Sequence, residues 1–182
     1  MRKLIYGMNV TLDGYTAAPG DDIGWSVPSD ELFRFWSDQL QATELSLYGR
    51  KLWRTMSSYW PTADRQPGAT PAETEFARRW RDMPKAVFSS TIGEVDWNTR
   101  LVTGDAVAEI TRLKAGDGGP MDIAGAAMRA GLIDEYVLAT APVLVGGGTP
   151  FFTGLDSWVN LNLVETRTLP CGVVLTRYET RR

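Results

Sequence analysis

Short, nearly continuous apolar runs alternate with amphipathic segments along this chain, and no other feature restricts its fold as strongly. The runs at 3–11, 45–48, 85–89, 100–102, 121–124, 135–143, 159–168 and 173–179 have the length and the β-branched and aliphatic content of strands. Several lack polar alternation, as expected of strands covered on both faces. Segments of helical period lie between them. Residues 30–41 place Leu32, Phe33, Trp36 and Leu40 on one face. Residues 73–81 bury Phe76 and Trp80, and 105–114 turn Val107, Ile110 and Leu113 inward. A further helix is expected over 50–59 and a short one over 126–130, ended by Gly131. Leu169-Pro170-Cys171-Gly172 joins the last two runs as a hairpin turn. The pattern predicts an α/β fold: a mixed, mostly parallel sheet flanked by helices, with a C-terminal β-hairpin. The 182 residues are expected to form one domain over 1–182, with 61–71 a surface loop rather than a linker.

The chain contains no histidine. That excludes Ser-His-Asp and Cys-His nucleophilic machinery, so a general acid or base must come from Asp, Glu, Lys or Tyr. With one cysteine, Cys171, there is neither an internal disulfide nor the paired thiols of a zinc site, and no metal is expected. Cations and acids are mixed, with a net charge of −3, which argues against a nucleic-acid surface. No apolar run is long enough to cross a bilayer, and residues 1–9 turn polar too early for a signal peptide. A cytoplasmic protein that acts on a small molecule is the expectation.

Two segments carry the chemistry. Trp25-Ser26-Val27-Pro28-Ser29-Asp30 puts an acid in the first turn of a helix, with Ser26 and Ser29 as candidate caps. Acids occupy that position for capping and dipole reasons in most helices. A tryptophan beside it can wall the carboxyl from water and raise its pKa toward that of a proton donor. Tyr48-Gly49-Arg50-Lys51 leads a strand through glycine into a helix whose first N–H groups suit a phosphate. Arg50 and Lys51 add charge, although a plain turn with solvated cations is the commoner arrangement. Ser89-Ser90-Thr91 ends another strand, where hydroxyls form turns or hold phosphate. Val145-Gly146-Gly147-Gly148-Thr149-Pro150 is not a dinucleotide fingerprint, because proline follows where a helix should start. It reads as a strand-ending turn with positive φ, and Asp13-Gly14 as a turn whose loop can lie over a ligand.

In order, these motifs resemble the dihydrofolate reductase-like superfamily, in the branch that includes the reductase domain of the bacterial riboflavin-biosynthesis deaminase-reductase. The resemblance rests on Val10-Thr11-Leu12-Asp13-Gly14-Tyr15, Leu47-Tyr48-Gly49-Arg50-Lys51, Pro84-Lys85-Ala86-Val87-Phe88-Ser89-Ser90, Gly131-Leu132-Ile133-Asp134-Glu135 and the segment 142–152. It implies a nicotinamide near Val10 and Thr11, phosphates at Gly49, Arg50 and Lys51, and an adenosine 2′-phosphate near Ser89 and Ser90. The implied cofactor is therefore NADPH. Asp30, with Trp25 and Phe33 around the substrate, would bind a ring nitrogen and steer a proton. A homodimer is also implied. The implied reaction is reduction of a ribosylamino-pyrimidine phosphate, with dihydrofolate as the alternative substrate. Residues 123–130 depart from the family pattern, being short by about one helical turn, with Gly125 the candidate substitute for a pyrophosphate-binding Gly-Gly turn. That departure keeps open a non-catalytic ligand-binding homologue.

Overall fold

The computed structural model describes residues 1–26, 29–124, 128, 130–152, 154–155 and 157–181. The expected helix over 126–130 falls, apart from Met128 and Ala130, outside the described residues, as does Gly125. The strands are β1 (Leu4–Thr11), β2 (Tyr15–Ala17), β3 (Leu45–Gly49), β4 (Lys85–Phe88), β5 (Thr99–Val102), β6 (Met121–Ala124), β7 (Glu135–Ala141), β8 (Thr149–Pro150), β9 (Leu161–Thr168) and β10 (Val174–Thr180). The helices are α1 (Asp30–Ala42), α2 (Arg50–Tyr59), α3 (Pro71–Asp82) and α4 (Ala106–Ala115).

Eight strands form one sheet in the order β5-β4-β3-β6-β1-β7-β10-β9. The neighbours from β5 to β7 pair in parallel, and β10 runs antiparallel to both β7 and β9. This is the mostly parallel sheet with a C-terminal hairpin that the alternation predicts. Two short pieces have no counterpart in the sequence pattern: β2 and β8 pair with each other as a separate ribbon. The loop expected over 61–71 is also partly ordered, since Trp60–Arg65 form a 3-10 helix before α3 begins at Pro71.

Period-two alternation along β1 divides the core. Leu4, Tyr6 and Val10 pack with Ile110 of α4 on one side of the sheet. On the other side Ile5, Val137, Ala139 and Leu175 meet Leu32 and Phe35 of α1, while Tyr48 and Val87 meet Trp53, Phe76 and Trp80. Gly7 lies close to this layer: a Cβ would come 3.0 Å from the Trp36 ring, which would have to give way. Val107 is a correction, for it is 44% exposed and α4 buries Ile110 and Lys114 instead. The Lys114 ammonium reaches the Leu132 carbonyl and the Asp134 carboxylate, which draws that end of the helix onto the sheet.

Helix starts follow local rules. Ser29 accepts from the Leu32 N–H, Thr70 from Glu73, and Asp105 from Val107 and Ala108. Gly49 stands at the start of α2 and offers no side chain to its first N–H groups.

Candidate active site at the carboxyl edge of the sheet

In a parallel sheet, ligands collect beyond the carboxyl ends of the strands. The order β4-β3-β6-β1-β7 brings five such ends together: Phe88, Gly49, Ala124, Thr11 and Ala141. Most of the sequence-predicted cofactor residues therefore share one edge: Val10, Thr11, Gly49, Arg50, Lys51, Ser89 and Ser90.

Their side chains do different things there. Apart from Gly49 and the residues next to it in the chain, no heavy atom of the described residues lies within 4 Å of where a Cβ would stand, so the space beside this glycine at the start of α2 is open. Arg50 is exposed, and its guanidinium donates to the Thr91 hydroxyl at 2.9 Å. Ser89 Oγ accepts from the N–H groups of Thr91 and Ile92, both at 3.1 Å, and so shapes the loop rather than facing outward. Ser90 is exposed beside it. Lys51 reaches across to the Asp21 carboxylate at 2.5 Å, joining α2 to the segment after β2. Val10 is 4% exposed within the core, so only its backbone faces the edge. Thr11 is 1% exposed, and its hydroxyl accepts from the Tyr15 N–H and donates to Asp13.

The substrate side needs one correction. Asp30 does not lie in an apolar enclosure. Its side chain is 45% exposed, 3.7 Å from Arg34, at one end of a groove of about 380 Å³ between α1 and α3 that Ser37, Asp38, Glu75 and Arg79 also line. The cause is helical spacing, which puts residues 30, 34 and 37 on the α3 side while Leu32 and Phe35 face the sheet. Phe33 packs with Trp60 at 5.8 Å and Phe76 at 6.3 Å. The buried Trp25 Nε1 has no hydrogen-bond partner among the described residues, while Val27 and Pro28 next to it lie outside them.

Two residues that motif reading did not assign hold this edge together. Asn9 accepts from Trp36 Nε1 at 2.8 Å and donates to Ser26 at 3.0 Å, which fastens the segment before α1 to β1. An amide in an otherwise apolar run is the signal for it. Asp13 accepts from the Thr11 hydroxyl and from the N–H groups of Val145 and Gly146. The Thr11 hydroxyl is the main cause holding this carboxyl below its ordinary pKa, helped by those two N–H groups.

A nucleotide's phosphates fit the residues present. The uncapped α2 N-terminus, the open position at Gly49 and the exposed Arg50 together make a cationic cradle that no side chain fills among the described residues.

Comparison with known proteins agrees with this architecture. The family model of the RibD C-terminal domain matches residues 2–175, and the chain belongs to that family. A Bacillus subtilis (strain 168) relative, the uncharacterized protein YyaP, is 30% identical over 97% of this chain and 94% of its own. A solved structure of a putative riboflavin biosynthesis protein from Shewanella sp. PV-4 is 25% identical, with a TM-score of 0.77 over 99% of both chains. Dihydrofolate reductase from Enterococcus faecalis, solved with NADP(H) and RAB-propyl, is 15% identical, with a TM-score of 0.64 over 99% of this chain and 97% of its own. The last likeness is one of fold.

Proposed function

We propose, from membership of the RibD C-terminal domain family as the premise, that this chain is an NADPH-dependent reductase of a pyrimidine or pterin-like substrate. Among such enzymes, 5-amino-6-(5-phosphoribosylamino)uracil reductase is the activity it most resembles. The observation that carries the reading is the meeting of the uncapped α2 N-terminus, Gly49 and Arg50 at the carboxyl edge, one strand (β6) away from the end of β1. When bound, NADPH supplies a hydride; the protein supplies position and charge. Gly49 and Arg50 would hold phosphate through N–H groups and a guanidinium. Thr91, whose hydroxyl accepts from Arg50, and the exposed Ser90 before it in the chain would take a 2′-phosphate. Lys51 would contribute only after leaving Asp21. Asp30, open to water, would steer a proton toward a substrate ring nitrogen, directly or through a solvent molecule. A cytoplasmic homodimer belongs to the same proposal.

Titration with NADPH and with NADH, followed by tryptophan fluorescence, tests it. Saturable binding that prefers NADPH and is weakened in Arg50→Ala is the expected result. Binding of neither nucleotide by folded protein would overturn the reductase reading and leave the ligand-binding homologue. Asp30→Asn should lose turnover and keep NADPH binding; unchanged turnover would remove Asp30 from the mechanism. Inhibition by an antifolate that depends on the Asp30 carboxylate would favour dihydrofolate as the substrate.

A further inference from the structure

The loop after β1 and the glycine turn after β7 are closed on each other as one unit. Leu12 N–H donates to the Val143 carbonyl and Phe151 N–H to the Gly14 carbonyl, each at 2.9 Å. Next to the second of those bonds, β2 pairs with β8. Gly148, at φ +121°, lies so close to β2 that a Cβ would sit 2.0 Å from the Ala17 carbonyl oxygen. One charged side chain reaches across this unit from the β1 side. The Asp13 carboxylate receives Val145 N–H at 3.1 Å, Gly146 N–H at 2.8 Å and the Thr11 hydroxyl at 2.6 Å. Gly146 is itself at φ +71°, so the turn exposes consecutive N–H groups that need an acceptor.

We infer that Asp13 is a positioning residue, which holds the Val145–Gly146 turn against the end of β1 and so sets the wall of the cleft on the nicotinamide side. This rests on the proposed reductase reading, in which the nicotinamide lies at the end of β1. Asp13 touches no ligand in this account. It acts through the glycine turn, while Gly49 and Arg50, beyond β6 in the sheet, act on the phosphates. The two halves of the cofactor therefore depend on different residues, and they can be separated by experiment.

The probes are NADPH and 2′,5′-ADP, which carries adenosine phosphates but no nicotinamide. Asp13→Ala should weaken NADPH about ten-fold and leave 2′,5′-ADP within about two-fold of wild type, since a charged acceptor of two N–H groups is lost on one side only. Asp13→Asn keeps one carbonyl acceptor and should fall between. Arg50→Ala should weaken both ligands. Equal loss of both ligands in Asp13→Ala, which general loosening of the fold would produce, overturns the inference, and so does unchanged NADPH binding. Hydrogen exchange separates this from failure of the reductase reading. If wild type binds neither probe, that reading falls, and the inference is judged by the Val145 and Gly146 amides. Protection lost there in Asp13→Ala, with the amides of β7 still protected, supports the holding role; unchanged protection overturns it.

Discussion

The two edges of the sheet use charge in opposite ways. At the amino edge, several charged side chains are buried and held by protein partners. Glu135, 4% exposed, meets Arg177 and also Lys3 at 2.9 Å. Asp134 takes the Leu4 N–H at 2.8 Å and the Lys114 ammonium. Arg2 reaches the Gly119 carbonyl and lies 3.4 Å from Glu44. Lys85, 2% exposed, donates to the carbonyls of Trp80 and Met83 at the end of α3, and burial lowers its pKa to about 8. At the carboxyl edge the cations point to solvent. Arg50 has the Thr91 hydroxyl and Lys51 has one exposed carboxylate. Buried charge must find a partner within the protein, because desolvation is costly and removing one member strands the other. Exposed charge leaves its interaction free for a ligand and contributes little to folding. The contrast teaches that cations at the amino edge serve the fold, whereas Arg50 and Lys51 at the carboxyl edge stay open to solvent and, in the proposed function, to a ligand.

Four substitutions test that division, from the largest expected effect to the smallest. Arg177→Met leaves the Glu135 carboxylate to Lys3 alone and should cost about 3 kcal/mol of stability by urea denaturation, as for other broken buried pairs. NADPH binding by the folded fraction should not change. A loss below about 1 kcal/mol would place this pair with ordinary surface ion pairs and erase the contrast. Gly148→Ala tests the other edge where a glycine is most crowded. A side chain at positive φ against the Ala17 carbonyl should cost about 2 kcal/mol. An unchanged melting curve would mean that the β2–β8 ribbon is not tightly closed.

Asp122 is an exception within the amino half. Its buried Oδ1 has no hydrogen-bond partner among the described residues. Burial raises its pKa to about 6, against the opposing influence of Ser46 and Lys85. The folded state therefore holds this proton to higher pH than the unfolded chain, whose value is 3.8. Stability from this group is complete below the unfolded value and is lost as pH rises from there to about 6. Asp122→Asn should flatten that limb of the pH–stability curve and stabilise the protein near neutral pH by about 1 kcal/mol, the gain reduced by amide hydrogens that need acceptors. A variant that keeps the wild-type slope would show that another group titrates there. Arg50→Ala has the smallest expected effect on folding, within about 0.5 kcal/mol, together with an about ten-fold weaker hold on NADPH if the charged phosphate contact forms. A large loss of stability in this variant would contradict the division between the edges.

Much of the fold was legible in the sequence because its signals are local. Apolar runs marked the strands of the main sheet, and period 3.6 marked α1 and α3. At the site, Gly49-Arg50 was readable because a strand, a glycine and a helix start adjoin in the chain. The environment of Asp30 was not. Trp25 is near it in sequence, but the direction of a helical carboxyl depends on which face the core claims, and here Leu32 and Phe35 claim the opposite one. Asn9 escaped motif reading, and Asp13 was read only as part of a turn, for a related reason, since each works through residues distant in the chain. Asp13 and its two N–H donors are separated by 132 and 133 positions.

Sequence alone determined the alternation of strands and helices and the exclusion of histidine chemistry, and it offered Ser26 or Ser29 as the cap of α1. Each of these is settled within a few residues by periodicity, by a neighbouring N–H group or by composition. Tertiary structure decided which cations are buried, which loops close on one another, and that Lys51 meets Asp21 while Asp13 meets the glycine turn. Those outcomes depend on the strand order β3-β6-β1-β7, which sets distances between parts of the chain that local preferences do not relate.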